Sequence, residues 1–120
     1  MNNKVLIVDD AIFMRALLKD ILTNGGYTVV AEASNGREAI EQYKKHKPVV
    51  VLMDIVMPDM DGIEAVKEIM KYDSNAKVIM CSALGQQPLV LEALNAGAKE
   101  FIIKPFQAEK VLSSINSILS

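Results

Sequence analysis

The sequence is poor in residues on which several functional classes depend. It contains one cysteine, Cys81, so it cannot form an internal disulfide, and this usage fits a reducing compartment. It has no tryptophan, three tyrosines and three phenylalanines, and its formal net charge is −2. Neither a base-stacking surface nor a basic footprint is present, so nucleic acid is not an expected partner.

Long apolar segments are also missing. No apolar run approaches the roughly 20 residues that a membrane-spanning helix needs. Residues 1–4 lead directly into a strand-like run, which leaves no room for a signal peptide. We therefore expect a cytoplasmic protein without membrane insertion. The 120 residues, 51% of them hydrophobic, are enough for one domain with a real core, which we expect to be a monomer.

What the sequence does contain is a regular alternation of short apolar runs and helical patterns. The five apolar runs cover residues 5–8, 27–32, 49–53, 78–81 and 101–103. The third run is continuous, which is typical of a strand buried on both faces, whereas the second is more polar and fits a sheet edge. Strands that alternate with helices predict an α/β fold, a doubly wound parallel sheet with helices on both faces.

Local signals indicate where helices begin and which faces they bury. Asn35, followed three residues later by Glu38, predicts a capping box at the start of the second helix, and Asp61 predicts the N-cap of the third. The last helix carries an apolar stripe at positions 111, 112, 115, 118 and 119. Ser114 and its polar neighbours are therefore expected to face solvent.

Polar residues follow the strands at their carboxyl ends. In a parallel sheet these ends share one edge, so residues that follow different strands become neighbours there. The residues concerned are Asp9, Asp10, Asp54, Ser82 and Lys104. Asp54, which follows the most apolar strand, is the predicted nucleophile.

The charges of this set predict a metal ion. Three crowded carboxylates carry about −3 and one lysine offsets about one of these charges, which invites a hard divalent cation such as Mg²⁺. Mg²⁺ bound to carboxylates and phosphate oxygens suits phosphoryl transfer. We therefore interpret Asp54 as the group that attacks phosphorus, with Lys104 and the Ser82 hydroxyl contacting phosphoryl oxygens.

Four motifs, found in order, resemble those of receiver domains of bacterial two-component systems. They are Asp9-Asp10 after the first strand, the apolar strand into Asp54 with MPDMDG after it, Ser82-Ala83, and Lys104-Pro105. The resemblance covers essentially the whole chain. It implies a flavodoxin-like receiver fold with strand order 2-1-3-4-5. It also implies one receiver domain over residues 1–120, with no output domain.

The same resemblance implies a role for each residue of the set. Asp54 would receive a phosphoryl group from the phosphohistidine of a histidine kinase, assisted by Lys104 and Ser82. The metal ligands would be Asp9, Asp10, Asp54 and the backbone carbonyl of Val56, and the switch pair would be Ser82 and Phe101. Many relatives carry a polar residue where this chain has Val56. That difference bears on the rate of spontaneous dephosphorylation, not on metal binding.

Among receiver domains, the chain is most similar to stand-alone chemotaxis response regulators. The segments DDAIFMR, CSALGQQ and GAKEFIIKPF carry this likeness. It implies a chemotaxis histidine kinase as phosphodonor, a flagellar motor switch protein as target, and a phosphatase as a further partner. We expect the target to bind the fourth helix, fifth strand and fifth helix. Such a protein is a phosphoacceptor and not an enzyme.

Two other functions fit parts of the pattern. A phosphorelay intermediate would carry the same site, and only the chemotaxis-like segments speak against it. A Mg²⁺-dependent phosphatase with an aspartyl nucleophile would need a second acid two residues after Asp54, where this chain has Val56.

Overall fold

The structure is a computed structural model that describes residues 2–120, and within them five strands alternate with five helices. The strands are β1 (Lys4–Val8), β2 (Thr28–Ala33), β3 (Val50–Asp54), β4 (Val78–Ser82) and β5 (Glu100–Ile103). The helices are α1 (Ile12–Asn24), α2 (Gly36–His46), α3 (Gly62–Tyr72), α4 (Gln87–Ala96) and α5 (Ala108–Leu119). None of the helices in this range has the length and apolarity that crossing a bilayer requires.

The strands form one parallel sheet in the order β2-β1-β3-β4-β5, which confirms the predicted doubly wound topology. All residues of β3 and β4 are buried, as the continuous apolar run at 49–53 indicated for β3. β2 lies at one edge and leaves Thr28 and Glu32 exposed, as its polar composition predicted. Each of the five strands differs from its predicted bounds by one residue at one or both ends.

Helices cover both faces of the sheet, so the core has two layers. In one layer, α2, α3 and α4 pack against a face of the sheet that includes Val51 and Met53. In the other, α1 and α5 pack against a face that includes Val50 and Leu52. Because successive side chains of a strand point to opposite faces, two-sided burial requires an uninterrupted apolar strand.

The predicted caps are present, with one difference in hydrogen bonding. The side chains of Asn35 and Asp61 accept hydrogen bonds from backbone N–H groups in the first turns of α2 and α3. The Glu38 carboxylate does not return to Asn35, as a capping box would have it. It accepts instead from the N–H and hydroxyl of Ser34, one residue earlier, each at 2.9 Å. The acid therefore ties the β2–α2 loop to the helix.

The prediction for Ser114 is wrong, because this residue is buried in α5. Ser114 lies three residues after Val111 and four before Ile118, so it shares the stripe that faces the sheet. A small side chain is accommodated on that stripe, and its polarity alone misled the sequence interpretation.

Candidate functional site

The carboxyl edge of the sheet gathers the polar residues that the sequence singled out. They are Asp9 and Asp10 after β1, Asp54 at the end of β3, Ser82 at the end of β4, and Lys104 after β5. Since the four strands are parallel neighbours in the sheet, their ends meet. The backbone N–H of Lys104 donates to the carbonyl of Ser82 at 2.8 Å, which extends the pairing of β4 and β5 into the site.

Lys104 joins two of the three carboxylates. Its Nζ lies 3.1 Å from Asp9 Oδ2 and 3.4 Å from Asp54 Oδ2. Asp9 and Asp54 are buried, whereas Asp10 is exposed. One carboxylate oxygen from each acid lies within 4.8 Å of the other two. The edge of the sheet thus holds one ammonium group against three carboxylates, so the site carries excess negative charge.

Burial and the neighbouring charges shift the pKa of both Asp54 and Lys104. Burial raises the pKa of Asp54 to about 6; Lys104 opposes the rise, and the charges of Asp9 and Asp10 add to it. For Lys104, burial lowers the pKa, but the hydrogen bond to Asp9 and the charge of Asp54 outweigh this effect and leave it raised. Lys104 is therefore a stable cation, yet it does not compensate Asp54 fully.

The donor set fits a magnesium ion. Mg²⁺ prefers oxygen ligands and keeps several waters, so it takes one or two carboxylates and an open approach from solvent. Two buried acids and one exposed acid supply such a set, and a further cation would offset the charges that Lys104 leaves unbalanced. Val56, whose carbonyl is the further predicted ligand, follows two residues after Asp54.

A close backbone approach holds the β3–α3 loop against the strand end. The N–H of Gly62 donates to the carbonyl of Ile55 at 2.7 Å. A Cβ atom on Gly62 would collide with the Asp54 carbonyl oxygen, so this position needs glycine for lack of space. The Asp61 cap starts α3 at the same point. The MPDMDG segment therefore fixes the backbone directly after Asp54.

Ser82 and Phe101, the predicted switch pair, border the same cavity. It measures about 230 Å³ and lies between β4, α4 and β5, where Val90 and Leu94 also line it. Ser82 is buried, whereas Phe101 is 37% exposed. An aromatic ring that lies partly in solvent is therefore next to a largely apolar space that it could occupy.

Apolar side chains are exposed beside this cavity. Leu91 of α4 is 63% exposed and Ile103 of β5 is 40% exposed. An open hollow of about 550 Å³ adjoins Ile103, and Phe101, Lys104 and Lys110 also contribute to its lining. We call the surface formed by α4, β5 and α5 the α4–β5–α5 face. It combines apolar and cationic groups that an approaching protein could contact.

Two contacts at the site involve residues that the sequence did not single out. Arg15 Nη1 donates to the backbone carbonyl of Asp9. Gln86 Oε1 accepts from the N–H of Ala83, directly after Ser82, at 2.7 Å. Both residues lie in the segments DDAIFMR and CSALGQQ. For Arg15 a signal was available, since it is the one charged residue among the apolar residues of the first turns of α1.

A parallel sheet that presents three acids, a hydroxyl and a lysine at its carboxyl edge defines the class of the protein. A family model for the response regulator receiver domain matches residues 5–116. The chain belongs to the response regulator receiver domain family.

Its relatives narrow the class further. The chain is 61% identical to chemotaxis protein CheY of Thermotoga maritima over 118 residues, which cover 98% of each protein. It is 58% identical to CheY of Bacillus subtilis over 120 residues, which cover all of both. A chain of the CheX–CheY–BeF3–Mg²⁺ crystal structure from Borrelia burgdorferi matches with a TM-score of 0.93 and 44% identity, covering 98% of this chain and 89% of that one. The chain is thus CheY-like, which implies phosphorylation-dependent signalling in chemotaxis.

Proposed function

We propose that the protein is a phosphorylation-activated switch that receives a phosphoryl group on Asp54 from a chemotaxis-type histidine kinase. The position of Asp54 is the observation that supports this function. It lies at the end of the central strand, 3.4 Å from Lys104 Nζ and within 4.8 Å of an oxygen from each of two further carboxylates. A nucleophile, a fixed cation and a site for a divalent ion are the parts that phosphoryl transfer to a carboxylate requires.

In the proposed reaction, a carboxylate oxygen of Asp54 forms a bond to phosphorus while the P–N bond to the donor imidazole breaks. The electron pair of that bond leaves with the imidazole, and the product is an acyl phosphate on Asp54. Lys104 pairs with one phosphoryl oxygen, and the Ser82 hydroxyl donates to another. Because Lys104 already lies between two carboxylates, it is in place before the donor arrives.

Mg²⁺ is the proposed cofactor. Its ligands would be Asp9, Asp10, Asp54 and the backbone carbonyl of Val56. When bound, the ion supplies charge neutralisation for the carboxylates and for the phosphoryl oxygens. We infer that the protein assists its own phosphorylation and dephosphorylation and is not an enzyme acting on a separate substrate.

We further propose that the phosphorylated protein binds a flagellar motor switch protein through the α4–β5–α5 face and so controls rotation. Ser82 would move toward the phosphoryl group, and Phe101 would turn into the cavity that both residues border. This exchange biases a two-state equilibrium and needs no new secondary structure. Exposed Leu91 and Ile103, on the two elements that flank the cavity, are available to the partner.

A second partner is expected to end the signal. The relative from Borrelia burgdorferi was crystallised in a complex with CheX. We propose that this chain also binds a second protein, that this partner removes the phosphoryl group, and that the whole cycle takes place in the cytoplasm.

Phosphorylation of Asp54 is tested by incubation with acetyl phosphate, with and without Mg²⁺, followed by intact mass measurement and peptide mapping. One phosphoryl group should be added only when Mg²⁺ is present. Asp54→Asn should abolish the addition, whereas Asp59→Asn, a matched change of an exposed acid in the same loop, should leave it intact. A phosphoryl group mapped to Ser82 would overturn the mechanism.

The output is tested by measuring binding of the motor switch protein with and without beryllofluoride. The gain in affinity should be about tenfold or more, which corresponds to about 1.4 kcal/mol. Ser82→Ala and Phe101→Ala should each lose much of the gain. Phe13→Ala, which removes a ring of the same size that is 72% exposed on α1, should keep it. If both switch variants keep the full gain, the proposed coupling is wrong.

A further inference from the structure

We propose that Arg15 is a positioning residue for the acidic site, because it fixes the backbone that carries Asp10. This inference rests on the proposed function in one respect, namely that the site binds Mg²⁺. It goes beyond that function by assigning a role to a residue that contacts neither the phosphoryl group nor the metal.

Asp10 differs from the other acids in how it is held. Asp9 is held by the Lys104 ammonium and by the N–H of Ala11, and Asp54 is held by Lys104. The Asp10 side chain is exposed, and within residues 2–120 it takes part in no hydrogen bond or ion pair. One of its oxygens nevertheless lies within 4.8 Å of oxygens of Asp9 and Asp54. Its place in the cluster is therefore set by its backbone.

Two planar peptide groups flank the Cα atom of Asp10, and each is held by one hydrogen bond. The group before Asp10 contains the carbonyl of Asp9, which accepts from Arg15 Nη1. The group after Asp10 contains the N–H of Ala11, which donates to Asp9 Oδ1 at 2.9 Å. Because each peptide group is planar, fixing these two atoms fixes the direction in which the Asp10 side chain leaves the backbone. Arg15 controls one of the two planes.

Arg15 is itself held, so it can act as a support. Its Nε donates to Glu32 Oε1 at 3.1 Å, and the side chain is only 16% exposed. Glu32 belongs to β2, a strand of the sheet that also carries the acids. Lys19 Nζ lies 3.9 Å from the other oxygen of Glu32 and makes no contact with Asp9. The guanidinium thus spans from the sheet to the β1–α1 loop with two separate nitrogens, Nε and Nη1, whereas a lysine would have to reach both acceptors from one nitrogen.

Loss of a group that orients a metal ligand typically lowers metal affinity about 10–100-fold. Arg15 orients one ligand of several and acts through the backbone, so we expect Arg15→Ala to raise the Mg²⁺ dissociation constant about tenfold. Lys19→Ala is the matched control, because it also removes one positive charge from α1 and one ion-pair partner of Glu32. It should leave the constant within about twofold of the unchanged chain.

The experiment is an NMR titration of the unphosphorylated protein with MgCl₂, with hydrogen exchange of the Ala11 amide measured in EDTA. Arg15→Ala should accelerate exchange of this amide, which donates to Asp9 Oδ1, before any metal is added. In an Asp10→Asn background, Arg15→Ala should weaken Mg²⁺ binding by less than about twofold further, since its route through Asp10 is gone. Arg15→Lys, which keeps the charge, should raise the Mg²⁺ dissociation constant less than Arg15→Ala does. It replaces Arg15→Ala in this experiment if that variant does not fold.

The outcomes separate the inference from the proposed function. If the unchanged chain binds Mg²⁺ but Arg15→Ala and Arg15→Lys bind it equally well, Arg15 is only a link between α1 and β2, and the inference is overturned. If Arg15→Ala weakens binding equally in the Asp10→Asn background, the route through Asp10 is wrong. If the unchanged chain binds no Mg²⁺, the proposed metal site fails and the role of Arg15 falls with it.

Discussion

The charge of Asp54 should destabilise the metal-free protein. The pKa of Asp54 is raised to about 6 in the folded chain, chiefly by burial, whereas an unperturbed aspartate titrates near 3.9. Since one pKa unit corresponds to about 1.36 kcal/mol, ionisation of Asp54 should reduce the free energy of unfolding by about 2–3 kcal/mol. For a chain of this length, that change corresponds to a shift of the order of 10 °C in Tm.

The sign follows from proton binding. Because the folded pKa lies above the unfolded value, the folded state binds more protons than the unfolded state between about pH 4 and pH 6. The contribution of Asp54 to stability therefore increases as the pH falls through about 6 and levels off below about 4. Above about pH 7 both states are ionised, and the folded state carries the full penalty.

The assay compares urea unfolding of the unchanged chain and of Asp54→Asn at several pH values in EDTA. The chain has no tryptophan, so unfolding is followed by circular dichroism. The free energy of unfolding of the unchanged chain minus that of Asp54→Asn gives the contribution of the Asp54 carboxyl group. This difference should rise by about 2–3 kcal/mol from pH 8 to pH 4. Asp59→Asn, which makes the same substitution at an exposed acid of the neighbouring loop, is the matched control.

Magnesium provides a second arm of the same experiment. An ion that binds the folded carboxylates stabilises by an amount that grows with its concentration. Added Mg²⁺ should therefore restore the stability of the unchanged chain at pH 8 and affect Asp54→Asn much less. A flat difference between pH 4 and pH 8 in EDTA would show that neither burial nor the neighbouring carboxylates penalise the ionised form of Asp54, and this reasoning would be refuted.

Three further changes test other parts of the structure by the same unfolding measurements. Asp10→Ala should weaken Mg²⁺ binding markedly but leave the metal-free fold as stable or more stable, because it removes one of three crowded charges; immediate unfolding would make Asp10 a structural residue. Gly62→Ala should lower the free energy of unfolding by about 1–3 kcal/mol or more, because the new Cβ meets the Asp54 carbonyl oxygen. Tyr43→Phe should lower it by about 1 kcal/mol, because the Tyr43 hydroxyl donates to Asp73 Oδ2 at 2.9 Å; an unchanged value would count against that hydrogen bond.

The sequence predicted the fold well because the relevant signals are local and repeated. The apolar run before Asp54 is typical of a strand covered on both faces, and the alternation of such runs with helical patterns predicted a parallel sheet. The order of the strands came from the family resemblance, because nothing in an apolar run specifies its neighbours. The convergence of Asp9, Asp54 and Lys104 followed from the parallel direction alone, since all carboxyl ends share one edge.

The sequence did not predict which hydrogen-bond partner a flexible polar side chain contacts when several are within reach. The Glu38 carboxylate could accept from the N–H of Asn35 or from Ser34, and in the observed loop conformation it accepts from Ser34. The polarity of Ser114 predicted exposure to solvent, but its position on the apolar stripe of α5 determines that it is buried. Arg15 could have been an ordinary surface residue, and only the path of the β1–α1 loop places the Asp9 carbonyl within its reach.

The excess of carboxylates over ammonium groups at the site also suggests how phosphorylation of Asp54 could alter the proposed partner surface. Lys104 is shared between Asp9 and Asp54, so neither carboxylate holds it alone. A phosphoryl group on Asp54 would bring a charge of about −2 and three strong acceptors, and it would compete for that ammonium. Any shift of Lys104 acts on β5, because the residue follows that strand directly and its N–H donates to Ser82. Phe101 lies on β5 beside a cavity that Ser82 also borders, so one rearrangement could move both members of the proposed switch pair.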